Sequence, residues 1–393
     1  MTRPDRHSAA DGDSTLGERL AAWMQQHLRG EFEALRGCKG PGDPRFDAAL
    51  ARRWEQCLAQ GGWTALGWPV SHGGQGWSIQ RQMVFHEAYA RLGGPARLGH
   101  IGEQLLAPTL IDHGDAAQQQ RFLPGIREAR EFWAQGYSEP GAGSDLAAVR
   151  TRAQLDEAAG QWVIHGQKVW TSWAHVADWI FVLARTQPGS QRHQGLSLLL
   201  VPLRQAGIEV RPIRQITGGA EFNEVFLDGA RTEASLHLGP VGDGWKVAMA
   251  LLGHERGAST LGQQAHFRQE LEAVIAMARR SGASSDAVLR QRLAHAVLGL
   301  QTLRHHAWRV LGDDASAASP PAMVSKYAWS NWRRELGVLA MDVLGAGTPM
   351  PPGDPDVGLL QRLWLESRAD TISAGTNEIQ LNLIAERGLG LPR

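Results

Sequence analysis

Glu255 stands where a carboxylate is costly. In the stretch "WKVAMALLGHERGAST" it follows Val247 and Leu251 at four-residue spacing, with Ala258 three residues on, so a helix would carry it on its apolar stripe. Burying a charge without a partner is unfavourable. Such a residue is therefore tied in an i, i+3 or i+4 ion pair, reaches solvent over the edge of a wide stripe, or is kept as a base. A second candidate is "GYSEPGAGSDLAAVRTRA", Gly136 to Ala153, where glycines let backbone approach a flat ligand and Ser138 and Ser144 offer short donors and acceptors. An ordinary glycine-rich turn fits the same residues. Trp170, closing "QWVIHGQKVWTS", reads on its own as a core aromatic at a strand end.

The elements that position these residues come in three blocks. From Thr15 to about Arg130 the pattern is helical, with Leu16, Leu20, Trp23 and Met24 on one face and a glycine- and proline-containing loop, "GWTALGWPVSHGGQGWS", between helices. From about Glu131 to Gly239 short apolar runs alternate with turn residues, and His165-Gly166 reads as a hairpin turn. Helices then return, the first with Asp243 as its N-cap. The expected domains are a disordered polar leader (1–14), a helical domain (15–131), a β domain (132–238) and a helical domain (239–393).

Composition removes several classes of function. Basic and acidic residues balance at 40 each, so nothing points to nucleic acid or an anionic membrane. Cys38 and Cys57 are the only cysteines, which is neither a disulfide framework nor a metal-ligand spacing and fits a reducing, cytoplasmic setting. No apolar run approaches the ~20 residues that span a bilayer.

Five segments in order carry a family resemblance: "GWPVSHGGQG", "GYSEPGAGSD", "WVIHGQKVWTSWAHVADWIFVLART", "GDGWKVAM" and "AGTNEIQ". Together they resemble the acyl-CoA dehydrogenases over nearly the whole chain. The resemblance implies an α+β fold: an N-terminal α-helical domain, a middle β domain and a C-terminal α-helical bundle, with FAD at their junction. It implies that Gln135, Tyr137 and Ser138 line the flavin pyrimidine, that the loop through Gly143 and Ser144 meets cofactor and CoA, and that Trp170, Thr171 and Ser172 flank the isoalloxazine. Gly345, Thr376 and Glu378 would meet the rest of the FAD, and Arg256 the CoA or the helix end. It also implies an electron-transferring flavoprotein as electron acceptor and a homo-oligomer, dimer or tetramer, with no metal.

The tail departs from the common family pattern. Many members place their catalytic glutamate just before the Gly-Thr pair, where this chain has Ala374. The isovaleryl and long-chain types instead carry the base in a Glu-Arg pair on the earlier helix and keep a small residue in the tail. Glu255-Arg256 with Ala374 resembles that arrangement. The implied reaction is α,β-dehydrogenation of an acyl-CoA: Glu255 removes the α-proton, the Ala374 N–H holds the thioester oxygen, and flavin N5 takes the β-hydride.

Three further positions differ. The family's Arg-x-x-Phe-Gly is missing, with only Arg279 or Arg280 nearby; Asp342, with Gly345 and Gly347, stands where the family has a Gln before a Gly-Gly pair; and Gly253 replaces a CoA-gripping Asp. An anionic Asp342 near a diphosphate is unfavourable without offsetting cations. Two alternatives follow: a partner subunit of a heterotetramer resembling the steroid side-chain enzymes, and a flavin oxidase or monooxygenase on the same fold.

Overall fold

The computed structural model describes residues 6–255, 259–312, 320–345 and 353–392. The chain gathers into two compact units, Met1–Gln82 with Leu92–Glu255 and Met83–Arg91 with Arg256–Arg393.

In the first unit, helix α1 (Arg6–His27) buries Leu16, Leu20 and Met24 at four-residue spacing. It begins at Arg6, so the segment expected to be a disordered leader is helical from there on. Once the later turns are anchored, extending the helix is propagation, which is far less costly than nucleation. Helix α2 (Ala48–Gln60) is capped by the Asp47 side chain, which accepts from Leu50 N. The loop between α2 and α3 (Ile79–Arg91) is pinned by Glu103: its Oε1 accepts from Ala65 N and its carbonyl from Trp68 Nε1. Arg97 in turn joins Glu55 and Glu103 in a buried ion cluster, at 3.0 and 2.6 Å. Glu103 lies in a π-helical turn, Ile101–Leu106, that runs into α4 (Ala107–His113), and α5 (Ala116–Arg127) follows behind a reciprocal Asp115–Gln118 cap.

The sheet comprises β1 (Trp133–Gly136), β2 (Arg152–Asp156), β3 (Gln161–Ser172), β4 (Trp179–Arg185), β5 (Leu196–Pro202), β6 (Ile208–Ile213), β7 (Phe222–Glu233) and β8 (His237–Leu238). Their order is β6-β7-β3-β2-β4-β5-β8, with β1 pairing in parallel beside β4. β4 and β5 are buried on both faces, which explains their unbroken apolar sequences. One face packs Phe181, Leu183, Leu198 and Leu200 against Leu106, Leu110 and Phe122. The other packs Ile180, Val182, Leu199 and Val201 against Ile164, Val225 and Leu227.

His165-Gly166 is not a turn. Both lie inside β3, and the β2–β3 connection is Glu157–Gly160. Gly166 is required for a different reason: a Cβ there would collide with Thr151, next to a register shift at Ile164/His165.

Helix α6 (Gly244–Glu255) falls within the first compact unit. Asp243 does occupy its N-terminal boundary, the carbonyl accepting from Lys246 and Val247. A Cβ on Gly244 would collide with the backbone of Ser197, so glycine lets α6 dock closely on β5, and Val247, Ala248 and Leu251 enter the core there.

The second unit is helical: α7 (Ser259–Arg280), α8 (Ala287–Gly312), α9 (Pro320–Leu344), α10 (Pro355–Ala369) and α11 (Asn377–Leu383). Phe267, Leu271, Val274, Leu300, Leu336, Leu339, Leu360 and Leu363 form its core. The Met83–Arg91 part of α3 belongs here through Met83 against Ala307 and Glu87 against Arg304. Arg333 is buried among Glu270, Glu366 and Asp370, at 2.7, 3.1 and 2.8 Å. Burial opposes its charge, but the carboxylates prevail and raise its pKa further.

Candidate active site

The glycine-rich stretch is exposed in front and held from behind. Tyr137 is buried, its ring edge-on to Phe181 at 5.8 Å. Gln135 and Ser138 are half-buried, and the Ser138 carbonyl accepts from Val169 N at 2.9 Å. Gly141, Gly143 and Ser144 are exposed. A Cβ added at Gly141 or Gly143 meets nothing within 4 Å, and neither φ is positive. Nothing in this chain requires glycine at either position, which suits a surface kept clear for another molecule.

Behind the stretch lies a buried ion pair that sequence reasoning missed. Lys168 has no exposed surface, and its ammonium donates to Glu139 Oε1 (2.8 Å), Tyr137 O (3.0 Å) and Leu183 O (2.8 Å). Glu139 also accepts from Arg150 N (2.7 Å) and Thr151 N (2.9 Å), so one carboxylate ties both ends of the loop. Burial pushes the Lys168 pKa down to about 8, against the opposing pull of Glu139. Burial also opposes ionisation of Glu139, but the Lys168 charge and the hydrogen bonds hold its carboxyl below the usual range. The signal was available: Trp162, Ile164 and Lys168 alternate onto the buried face of β3.

Trp170 is not a core aromatic. It is 59% exposed and has φ +59°, at a β-bulge where the β3–β7 register shifts between Lys168 and Thr171. The left-handed backbone costs on the order of 1 kcal/mol for a residue with a Cβ. Phe222 braces the indole edge-on at 6.1 Å. Thr171 is buried, its carbonyl accepting from Asn223 Nδ2 at 2.9 Å, and Oγ1 has no hydrogen-bond partner among the described residues. Ser172 is half-buried. A bulge, a strained backbone and a braced indole together present an aromatic face outward, which fits a flat heteroaromatic ligand.

On α6, Val247 and Leu251 are buried as the apolar stripe requires, and Glu255 is the last residue of the helix. Its side chain and all of Arg256 lie outside the described residues. The preceding residue, His254, meets Asp112 at 3.3 Å.

In the second unit, Ala374 is exposed with φ +51° and Gly375 has φ +89°. Thr376 caps α11, its Oγ1 accepting from Ile379 N at 3.2 Å, which leaves the hydroxyl proton free to donate. Asn377 is buried and locks this turn, accepting from Lys326 Nζ and Ser330 Oγ at 3.0 Å each. Glu378 is exposed. Gly345 ends α9 with φ +82°, while Gly347 lies outside the described residues.

Two of the departures noted in the sequence, Arg280 and Asp342, make ion pairs within this chain. Arg280 pairs with Asp354 and Asp356 at 3.0 and 2.9 Å, and Arg279 is exposed. Asp342 pairs with Arg292 at 2.7 Å, which supplies the offsetting cation. Among the described residues there is no His, Cys, Asp and Glu grouping able to hold a metal and no helix long and apolar enough to cross a membrane.

Comparison with known proteins decides the family. The models described as acyl-CoA dehydrogenase N-terminal, middle and C-terminal domains match residues 21–130, 134–230 and 242–389. The chain belongs to the acyl-CoA dehydrogenase family. It is thus an oxidoreductase with the helical, sheet and helical organisation expected for that family. Acyl-CoA dehydrogenase IpdE1 of Mycobacterium tuberculosis is 55% identical over 375 residues, covering 95% of this chain and 96% of that one. The solved Tcur3481-Tcur3483 steroid ACAD has 30% identity and a TM-score of 0.83, covering 100% of both chains. The ChsE4-ChsE5 complex from Mycobacterium tuberculosis has 27% identity and a TM-score of 0.82, covering 100% of this chain and 99% of that one.

Proposed function

We propose that this acyl-CoA dehydrogenase carries FAD and dehydrogenates an acyl-CoA thioester between its α and β carbons. The observation that carries the reading is the outward, strained Trp170 beside a glycine loop that the chain's own packing does not require. Gln135, Tyr137 and Ser138 would hold the pyrimidine side of the flavin and Trp170 with Ser172 the ring system. Thr371–Gln380 supplies Thr376 and Glu378 for the diphosphate and adenine half. Bound FAD supplies the acceptor for the β-hydride. Ser144 and Arg256 would meet CoA, and electron-transferring flavoprotein would reoxidise the cofactor.

The chain's own residues divide the proton chemistry. Glu255 takes the α-proton as general base, and the Ala374 N–H steadies the negative charge that develops on the thioester oxygen. Ala374 presents no competing carboxylate beside that N–H. Glu255→Gln preserves shape and removes the proton acceptor. Acyl-CoA should still bind, while substrate-driven flavin bleaching slows by at least about 10²-fold. Near-normal bleaching would remove Glu255 from this role.

A second reading, that the chain works as one subunit of a heteromer, has its own observation. Arg280 and Asp342, where the family reaches toward a neighbouring subunit's FAD, are committed to ion pairs inside this chain. The similar solved structures named above are complexes of two different proteins. Flavin retained only on co-expression with a second dehydrogenase chain would favour this reading. Stable flavin in the protein purified alone would favour a homo-oligomer.

A further inference from the structure

We propose that Lys168 and Glu139 are a positioning pair that sets the spacing between the two flavin-facing segments, Gln135–Ser144 and Trp170–Ser172. The proposal deepens the flavin reading above and rests on it. Lys168 is two residues before Trp170 on β3, and its ammonium reaches across to Tyr137 O and Glu139 on the loop and to Leu183 O on β4. All three ammonium protons are therefore used. Glu139 completes the frame by accepting from Arg150 N and Thr151 N, where the loop rejoins the sheet. The Glu139–Ala142 backbone pair and the Val169 N–Ser138 O bond close the frame on its loop side. Between these ties, Gly141, Gly143, Ser144 and Asp145 are exposed, as is Trp170. The ligand-facing parts thus have little packing of their own, and their separation is set from behind.

Geometry, rather than the ion pair as such, singles the device out. A buried pair is weak evidence for stability, since apolar residues of similar volume often replace one at no cost. Its attested use is to specify one arrangement over others. Here the five hydrogen bonds of the pair connect the loop's start, the loop's end, β3 and β4. An apolar replacement would fill the space and make none of them.

The test uses the full chain and four variants: Glu139→Gln, Lys168→Met, the double variant Lys168→Met/Glu139→Gln, and Val163→Ala, a β3 control away from the pair. Two measurements are made. The first is FAD affinity with the fluorescence of the bound flavin, which a nearby indole quenches. The second is the rate of trypsin cleavage after the exposed Arg150 in apoprotein. Glu139→Gln and the double variant should fold, bind FAD at least about tenfold more weakly, show less quenched flavin and be cut faster at Arg150, with Val163→Ala near wild type. Should Lys168→Met fail to fold, the double variant decides, because it leaves no buried charge unpaired. A folded double variant with wild-type FAD affinity, quenching and cleavage overturns the proposal. A wild-type protein that takes up no FAD, alone or with a partner chain, overturns the flavin reading instead, and the cleavage rates still decide whether the pair holds the loop.

Discussion

The glycine loop with the Trp170 bulge and the end of α9 with its neighbours treat charge in opposite ways. In the first, one ion pair is buried and the residues proposed to face the ligand are left bare: Lys168 and Glu139 sit behind the loop, and Trp170 faces out. In the second, the charged residues are paired near the surface, Arg280 with Asp354 and Asp356 and Asp342 with Arg292. A buried pair dictates geometry because nothing in its surroundings can replace its hydrogen bonds. A half-exposed pair can trade its partner for water, so it cancels charge without setting a shape.

Breaking a buried pair in each unit measures what such fixed geometry is worth. Lys168→Met leaves Glu139 buried and unpaired and should cost about 3–5 kcal/mol in a denaturant titration. A loss below about 1 kcal/mol would show that water reaches Glu139 and that the region is not a closed frame. Arg333→Met, which strips the cation from Glu270, Glu366 and Asp370, should cost a similar amount and serves as the equivalent in the second unit.

Trp170→Gly separates ligand contact from folding. Glycine relieves the left-handed backbone, about 1 kcal/mol in its favour, but adds a similar entropic cost in the unfolded chain. Stability should stay within about 1 kcal/mol of wild type while flavin retention falls clearly, read as the FAD fraction surviving gel filtration. A large loss of stability with normal flavin would make the indole a packing group.

Alkaline pH should act on the two regions unequally. The Lys168 pKa is lowered in the fold to about 8 from 10.5, so the folded chain releases this proton first. By linkage, rising pH between those values favours the folded state at this site rather than weakening it. The neutral amine nevertheless loses one of its three donors and its attraction for Glu139. Flavin retention should therefore decline above about pH 8 without a matching drop in the melting midpoint at that site. In Lys168→Met/Glu139→Gln the decline should be absent.

The smallest effect belongs to the surface pair. Arg292→Ala should change stability by less than about 1 kcal/mol, since both side chains of the Arg292–Asp342 pair are partly solvated. Asp342→Gln restores the amide common in the family. If this position meets a neighbouring subunit's FAD, that change should raise flavin retention in the purified protein. Unchanged retention would place Asp342 outside the cofactor's reach.

Much of the fold was legible in the linear sequence because local periodicity records it. Leu16, Leu20 and Met24 announce α1, Val247 and Leu251 announce the buried stripe of α6, and the short apolar runs announce β4 and β5. The ordered motifs also point to Gln135–Ser144 and Trp170–Ser172, the segments proposed above to face the flavin. The tertiary structure decided what depends on contacts between distant residues. His165-Gly166 looks like a turn in sequence, yet Thr151 presses on Gly166 within a continuous strand. Asp342 looks like an unopposed charge until α8 brings Arg292 to it. Glu139 and Lys168 are 29 residues apart and unremarked as single letters; only strand pairing puts the ammonium on the carboxylate and gives both their partners. Periodicity is set by neighbours along the chain, whereas the cost of a buried charge is set by whatever the fold places against it.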